Sequence, residues 1–493
     1  MWNAAKLIFA GLLALGAASN SHAGDQLGPE HVLLIYNSDV PDSVAVRDIY
    51  LEAYPTVLTF DIATAGCSLT GGTVTRQQYL SCIRNPIKAF LNGDDGGPDL
   101  SQQIVVLLTT RGVPTRINGA NEFSGQLNST FASVESELTL LQQDLEASGA
   151  APLLQRHFGI VDNPYHTQIQ PILSYSRNRV KIQRNFVQVS VTGGPVSWVA
   201  QELIPGNMYL VCRLDSAPGQ HTTAVEEIER LVRRSQHLTA TRCEGQFLLD
   251  AFSAGPNMLD EQGLPPSFPA LADYIRTNSF LSQAGWSGQL DRTFDFITGD
   301  DLNDPVRPLL VFGTYGENHK IDGRGEDPPG VGTYINLYEF HPAAMFLSIE
   351  SFNGNSIING QPRGGQGQVL DLFPLGGSFT IGHVAEPFAF SVPDMEYLSR
   401  SMLIAGLSFA EAAWIAMPGL SWQQVPVGDP LARIEVLQVS SPDQNRDGLI
   451  DVEDLYLAEK QKLDLNCDGV VDDADRRLVL DAVRAGELND ILP

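Results

Sequence analysis

Over most of this chain apolar residues come in short unbroken runs separated by amphipathic stretches. His31–Asn37 (HVLLIYN), Val57–Ile62 (VLTFDI) and Ile104–Leu108 (IVVLL) are such runs and read as strands. Between the first two, Asp42 and Ser43 offer caps for VAVRDIYLEAY, whose apolar positions recur at helical spacing. Thr75 offers a cap for a helix reaching about Leu91. Strands apolar on both faces, alternating with helices, are the pattern of a parallel sheet covered on both sides. The pattern returns with Met208–Leu214 (MYLVCRL), a helix over 223–238 and Gln246–Ala251. Leu309–Gly313 and Met345–Ile349 read as further buried strands, Thr130–Leu145 and Ser408–Ala416 as helices, and Pro426–Ile434 as the close of this part. Residues 151–207 are polar and irregular and carry no assignment; 323–332 is a loop by composition.

The two ends depart from this pattern. Met1–Lys6 carries one positive charge, Leu7–Ala18 (LIFAGLLALGAA) is apolar, and small residues precede Ala23. That is the layout of a secretory leader over residues 1–23. Its apolar run is well short of the roughly 20 residues that span a bilayer. The expected location is therefore extracytoplasmic: secreted, periplasmic or at the cell surface. No later stretch is long and apolar enough for a membrane span, so none is expected after leader cleavage. The chain has 58 acidic against 31 basic residues, a net charge of -27. Nucleic acid and anionic membranes, which need clustered Lys and Arg, are excluded as expected partners. Export permits disulfides among Cys67, Cys82, Cys212, Cys243 and Cys467. The pairs Cys67–Cys82 and Cys212–Cys243 and a set of free thiols both remain open.

Part of the acidity is local. Residues 443–475 hold eleven carboxylates against Arg446, Lys460 and Lys462. The stretches DQNRDGLIDVED from Asp443 and DLNCDGVVDDAD from Asp464 follow one pattern over twelve positions. Calcium takes six to eight oxygen ligands at about 2.3–2.6 Å. Asp443, Asn445 and Asp447 are two apart, so short side chains converge as the loop curls. Gly448 permits the sharp turn. Leu449 offers a backbone carbonyl, Asp451 ligates directly or through water, and Asp454 closes the shell from the following helix. Asp464, Asn466, Asp468, Gly469, Val470, Asp472 and Asp475 repeat the set, so two Ca2+ ions are expected. Ile450 and Val471 are the apolar positions expected to pair the loops. These lines resemble the duplicated type I dockerin repeat, of the EF-hand kind, and share its final Asp in place of Glu. The resemblance implies a surface for a protein partner. The repeats start 21 residues apart, closer than in typical dockerins, with almost no room for a helix of their own between them.

In the larger part, LLIYNSDVPDSVAVRDIY (33–50), VVLLTTRGVPTRI (105–117), FHPAAMFLSIESFNG (340–354), IGHVAEP (381–387) and LSWQQVPVGDPL (420–431) resemble an uncharacterised secreted bacterial family. That family occurs mostly in genomes with exosortase sorting systems, and it implies location rather than chemistry. A remoter resemblance is to caspase-like peptidases of the gingipain type. These place a His after one strand, a Cys nucleophile after the next, and a Gly-Asp-Pro segment near the domain end. The matching positions here are His319 after 309–313, Ser351 in place of Cys after 345–349, and Gly428-Asp429-Pro430. The resemblance implies a degenerate hydrolase with His319 as base and Ser351 as nucleophile. The bland reading, polar loop residues at a sheet edge, is the favoured one. His383 and Glu386 (HxxE) could bind a metal, though a loop His is more often solvated.

The expected architecture is an α/β body over 24–435, a mostly parallel sheet with helices on both faces and a candidate division near 150–207. A small all-α calcium module follows over 441–493. The expected function is calcium-dependent stabilisation or docking; the alternative is an extracytoplasmic hydrolase.

Overall fold

The computed structural model of the chain describes residues 26–118, 131–142, 161–174, 208–251, 270–293, 295–317, 332–361, 365–387, 391–437, 442–444, 449–465 and 470–489. The expected leader lies outside them. Among the described residues no helix is long and apolar enough to cross a membrane.

Ten strands make one sheet: β1 Val32–Tyr36, β2 Leu58–Asp61, β3 Val106–Thr110, β4 Leu210–Leu214, β5 Gln246–Asp250, β6 Ser287–Asp291, β7 Leu309–Thr314, β8 Phe340–Ser348, β9 Phe379–His383 and β10 Gln424–Val427. Their order is β6-β5-β7-β8-β9-β10-β4-β3-β1-β2. Every neighbouring pair is parallel except β9 and β10, which meet antiparallel with Ile381 opposite Pro426. The sheet therefore consists of two halves running in opposite directions. Each half starts a strand, adds the next on its outer side, then crosses back to extend inward. β3, β4, β5 and β7 are buried at every position, which is why they read as continuous apolar runs. The strands flanking 150–207, β3 and β4, are direct neighbours, Leu108 opposite Cys212.

Helices α1 Pro41–Ala53, α2 Asn85–Asn92, α3 Ala224–Ser235, α4 Ala270–Gln283, α5 Met395–Leu403 and α6 Phe409–Ala416 accompany the sheet. Thr75 caps as expected, in a box with Gln78, and the chain passes through a π-helical stretch, Tyr79–Arg84, into α2. Thr223 with Glu226 and Ser408 with Glu411 form the same box at α3 and α6. The start of α1 differs from expectation. Val40 is its N-cap and Pro41 its first residue, since proline lacks the N–H that would go unsatisfied there. The Ser43 hydroxyl instead accepts from Asn37 N at 2.9 Å and meets the Thr110 hydroxyl at 2.7 Å. The helix expected over 130–145 is also shorter: Phe131–Ser133 is a strand and Val134–Leu138 the only helix described there.

The expected closing segment at Pro426 is in fact β10, in the middle of the sheet. A central strand tolerates Pro426 because β10 meets β4 through a single pair, Val427 with Arg213. Beyond it, Asp429 is buried and accepts from Tyr50 Oη at 3.1 Å, Tyr54 Oη at 2.9 Å and Leu431 N at 3.0 Å. The Gly-Asp-Pro segment thus ties α1 to the start of α6.

Cys67 and Cys82 are bridged. Cys212 is a buried free thiol on β4, so the pair Cys212–Cys243 does not form; Cys243 is nonetheless disulfide-bonded. Cys467 lies outside the described residues.

Candidate functional site

Two places answer to the chemistry expected from the sequence. The first is the C-terminal module, built on α7 Val452–Gln461 and α8 Asp473–Asn489. Asp451 caps α7, its Oδ1 accepting from Glu453 N at 2.7 Å. The Asp454 carboxylate reaches back over the loop. Oδ1 accepts from Gln444 N at 2.6 Å and Oδ2 from Asp451 N at 2.8 Å. The second loop repeats each bond. Asp472 Oδ1 accepts from Ala474 N at 2.7 Å, and Asp475 accepts from Leu465 N at 2.7 Å and Asp472 N at 2.8 Å. Positions 2, 9 and 12 of both loops are therefore held in one geometry. Asp454 and Asp475 are buried at the start of their helices, where carboxylates are favoured by the helix dipole. Asn445, Asp447, Gly448, Asn466, Asp468 and Gly469 lie outside the described residues.

A small core holds the two helices together: Ala458, Leu465 and Val479, with Leu455, Leu463, Leu478 and Val483 against it. Lys462 ends α7 in the left-handed conformation, φ 54°, and the second loop starts two residues later. Between the repeats α7 is the one helix described, and it starts within the first of them. The pairing expected of Ile450 and Val471 is not seen. Neither lies in a strand, and their side chains are 39% and 52% exposed. Leu449, Val452, Tyr456 and Val470 are more exposed still. The donor set is all oxygen, as a hard cation requires.

The second place is the carboxyl edge of β7, β8 and β9. Ser351 stands three residues past β8, half-buried, with no hydrogen-bonded base among the described residues. His319 lies outside them. The structure puts a different residue at the centre. Glu350 is buried, its Oε1 accepting from Glu317 N and Gly367 N, both at 3.0 Å, and its Oε2 from Tyr334 Oη at 2.5 Å. It clasps three loops at the sheet edge. Burial outweighs these donors and pushes its carboxyl up to about 7.

His383 is the last residue of β9 and fully buried, not the solvated loop histidine expected from the sequence. Its Nδ1 lies 3.2 Å from Glu350 O, and a carbonyl only accepts, so Nδ1 carries the proton. Burial lowers its pKa to about 4 and keeps the ring neutral. Nε2 is buried with no hydrogen-bond partner. Glu386 is half-buried in the next loop, and no group of three metal-ligating side chains occurs among the described residues. Sequence reasoning missed Glu350 and Tyr334. Glu350 adjoins Ser351, but nothing in SIESFNG marks it as buried.

No family model matches this sequence, and no curated protein matches it. Among solved structures the chain is remotely similar to the crystal structure of the Arg-specific cysteine proteinase gingipain R. Identity is 10% and the TM-score 0.41, over 83% of this chain and 79% of that one. At that distance no residue role is carried across.

Proposed function

We propose that the chain is an exported calcium-binding protein whose C-terminal module holds two Ca2+ ions and presents a calcium-dependent docking surface. The observation that carries this reading is the twofold closure. Asp454 and Asp475 make the same two backbone hydrogen bonds in loops 21 residues apart. Asp443, Asn445, Asp447, Leu449, Asp451 and Asp454 would hold one ion, and Asp464, Asn466, Asp468, Val470, Asp472 and Asp475 the other. Each ion would neutralise converging carboxylates that otherwise repel. The exposed apolar side chains around 449–456 and 470–471 are the candidate contact with a protein partner. Calorimetry on the full-length protein is expected to find two calcium sites, of which Asp443→Ala and Asp464→Ala each remove one. Fewer than two sites in the unmodified chain refutes the reading.

A second reading, an extracytoplasmic hydrolase, is favoured by one observation. A carboxyl poised near neutrality, Glu350, adjoins Ser351 at the edge where α/β sheets hold ligands. Against it, both Glu350 oxygens are occupied and His383 is sealed from solvent. Peptide turnover by the purified protein, abolished in both Ser351→Ala and His319→Ala, would establish it. No turnover is expected.

A further inference from the structure

The first half of the sheet carries a cavity of its own. Its strand order reverses between β1 and β3, and the loops leaving those strands part at that point. In open α/β sheets such a divergence beyond the carboxyl ends is where ligands bind. Here it opens a cavity of about 270 Å³, lined by Val40, Asp42, Arg111 and Asp215 and walled by Ser356–Gly360 from beyond β8. That is near the lower end for ligand pockets, which run from about 300 Å³ upward.

The floor is rigid. Asn37 Nδ2 donates to Leu69 O at 2.6 Å and Gly112 O at 3.3 Å, tying the loops after β1 and β3 together. Gly112 has φ +90°, and a Cβ there would come within 2.8 Å of Val40 Cγ1, so only glycine lets these loops pass. Buried Arg213 donates to Asp215 Oδ2 at 3.1 Å, Glu135 Oε1 at 2.8 Å and Val113 O at 2.7 Å. Asp215 in turn fixes Arg111.

Three groups are left over. Arg111 Nε donates to Asp42 Oδ2 at 3.0 Å, and Nη1 to Asp215 Oδ1 at 2.8 Å and Ser216 O at 3.3 Å. Nη2 keeps two donors, on a side chain 27% exposed. Asp42 Oδ1 has no role in these contacts, and the Asp42 side chain is 50% exposed. The Ser356 hydroxyl, in the opposite wall, is buried without a hydrogen-bond partner. A buried hydroxyl left unpaired is destabilising, and a bound ligand would supply the missing partner. Arg111 and Arg213 face three carboxylates, Asp42, Asp215 and Glu135, and the groups left open are one guanidinium nitrogen and one carboxylate oxygen. A bare anion or cation would meet only one of these, whereas a ligand with one charge of each sign meets both.

We propose that this cavity binds a small zwitterion of free amino-acid size, its carboxylate on Arg111 Nη2 and the Ser356 hydroxyl and its ammonium on Asp42. The proposal is independent of the calcium module. Titration calorimetry on the full-length, calcium-loaded protein with each of the twenty free L-amino acids tests it, with acetate, methylamine and inorganic phosphate as single-charge probes. At least one amino acid is expected to bind one-to-one with Kd below about 1 mM, and the three probes at least about tenfold more weakly. Ser356→Ala and Asp42→Asn, which leave the buried Arg213 network intact, are expected to weaken that binding at least about threefold without lowering the melting temperature of the free protein. Binding by no amino acid, equal binding of acetate, phosphate or methylamine, or unaltered affinity in both variants overturns the proposal.

Discussion

The body and the C-terminal module hold their shape by different means. The body packs ten strands and their helices into one core, with Val32–Ile35, Ile104–Leu108 and Ala343–Phe346 wholly or almost wholly buried. Among the described residues the module's buried apolar side chains are Ala458, Leu465 and Val479, while eleven carboxylates crowd into 33 residues. Apolar burial contributes about 25 cal/mol per Å², so a core that small cannot offset the cost of ordering two helices and their loops. The body supplies its own stability; on the reading proposed above, the module needs cations to supply it. Two regions of one chain would then answer differently to the same change of solvent.

The largest expected effect follows directly. Excess chelator added to the full-length protein removes hydrogen-exchange protection from α7 and α8 and leaves β1, β3, β4 and β7 protected. Retained protection in α7 and α8 without calcium would mean that packing alone sustains the module.

Next in size is a change confined to the body. Glu135 is buried, accepting from Arg213 Nη1, Thr109 Oγ1 and Thr115 Oγ1, each at 2.8 Å. Glu135→Ala leaves a buried guanidinium with less than its share of compensating charge. Its expected cost is about 3–5 kcal/mol, read from the denaturant midpoint of the body. Calcium binding is expected to stay unchanged.

These two regions also differed in how much of them the sequence disclosed. The acidic repeats are local: oxygen-bearing side chains at fixed offsets within twelve residues, repeated once, with Asp454 and Asp475 accepting from backbone N–H groups at the same offsets in both. The α/β class was legible because strands buried on both faces leave unbroken apolar runs, as at 106–110 and 309–314. The order of those strands was not, since pairing joins residues far apart, such as Val427 and Arg213. β10 escaped because Pro426 argues against a central strand and its neighbours there are set only by the folded sheet. At the sheet edge, Ser351 and His319 stood out by residue type and position after a strand. Glu350 did not, because its place depends on Tyr334, Glu317 and Gly367 arriving from three separate loops.

A smaller effect separates the two titrating groups at that edge. The Glu350 pKa is raised to about 7, so the folded state holds its proton more tightly than the unfolded chain. Its contribution is full below the ordinary carboxyl range and is lost as pH rises through 7. His383, lowered to about 4, works the other way: its contribution is present above the ordinary histidine range and is lost as pH falls toward 4. Glu350→Gln removes the first slope only. The stability difference between wild type and this variant, measured by melting in saturating calcium, is expected to shrink by on the order of 1–3 kcal/mol from pH 5 to 7.5. A difference that stays constant or grows would show that the three donors, not burial, govern this carboxyl.

The smallest effect on stability is expected where the module is most apolar on its outside. Val452 and Tyr456 stand one turn apart on α7, 69% and 61% exposed, with Lys460 Nζ 5.6 Å from the Tyr456 ring centroid. An exposed side chain has little burial to lose, so Val452→Ser and Tyr456→Ser should each fall within about 0.5 kcal/mol of wild type. Both calcium sites should fill as before, because neither side chain is a ligand. What the pair should lose is association. If this face docks a protein partner, the wild-type chain recovers that partner from its native secretions in calcium and releases it in chelator, whereas the double variant recovers none. Equal recovery by wild type and variant would move docking away from this face. A fall in stability of several kcal/mol would show instead that the face packs against the body, making the module part of it.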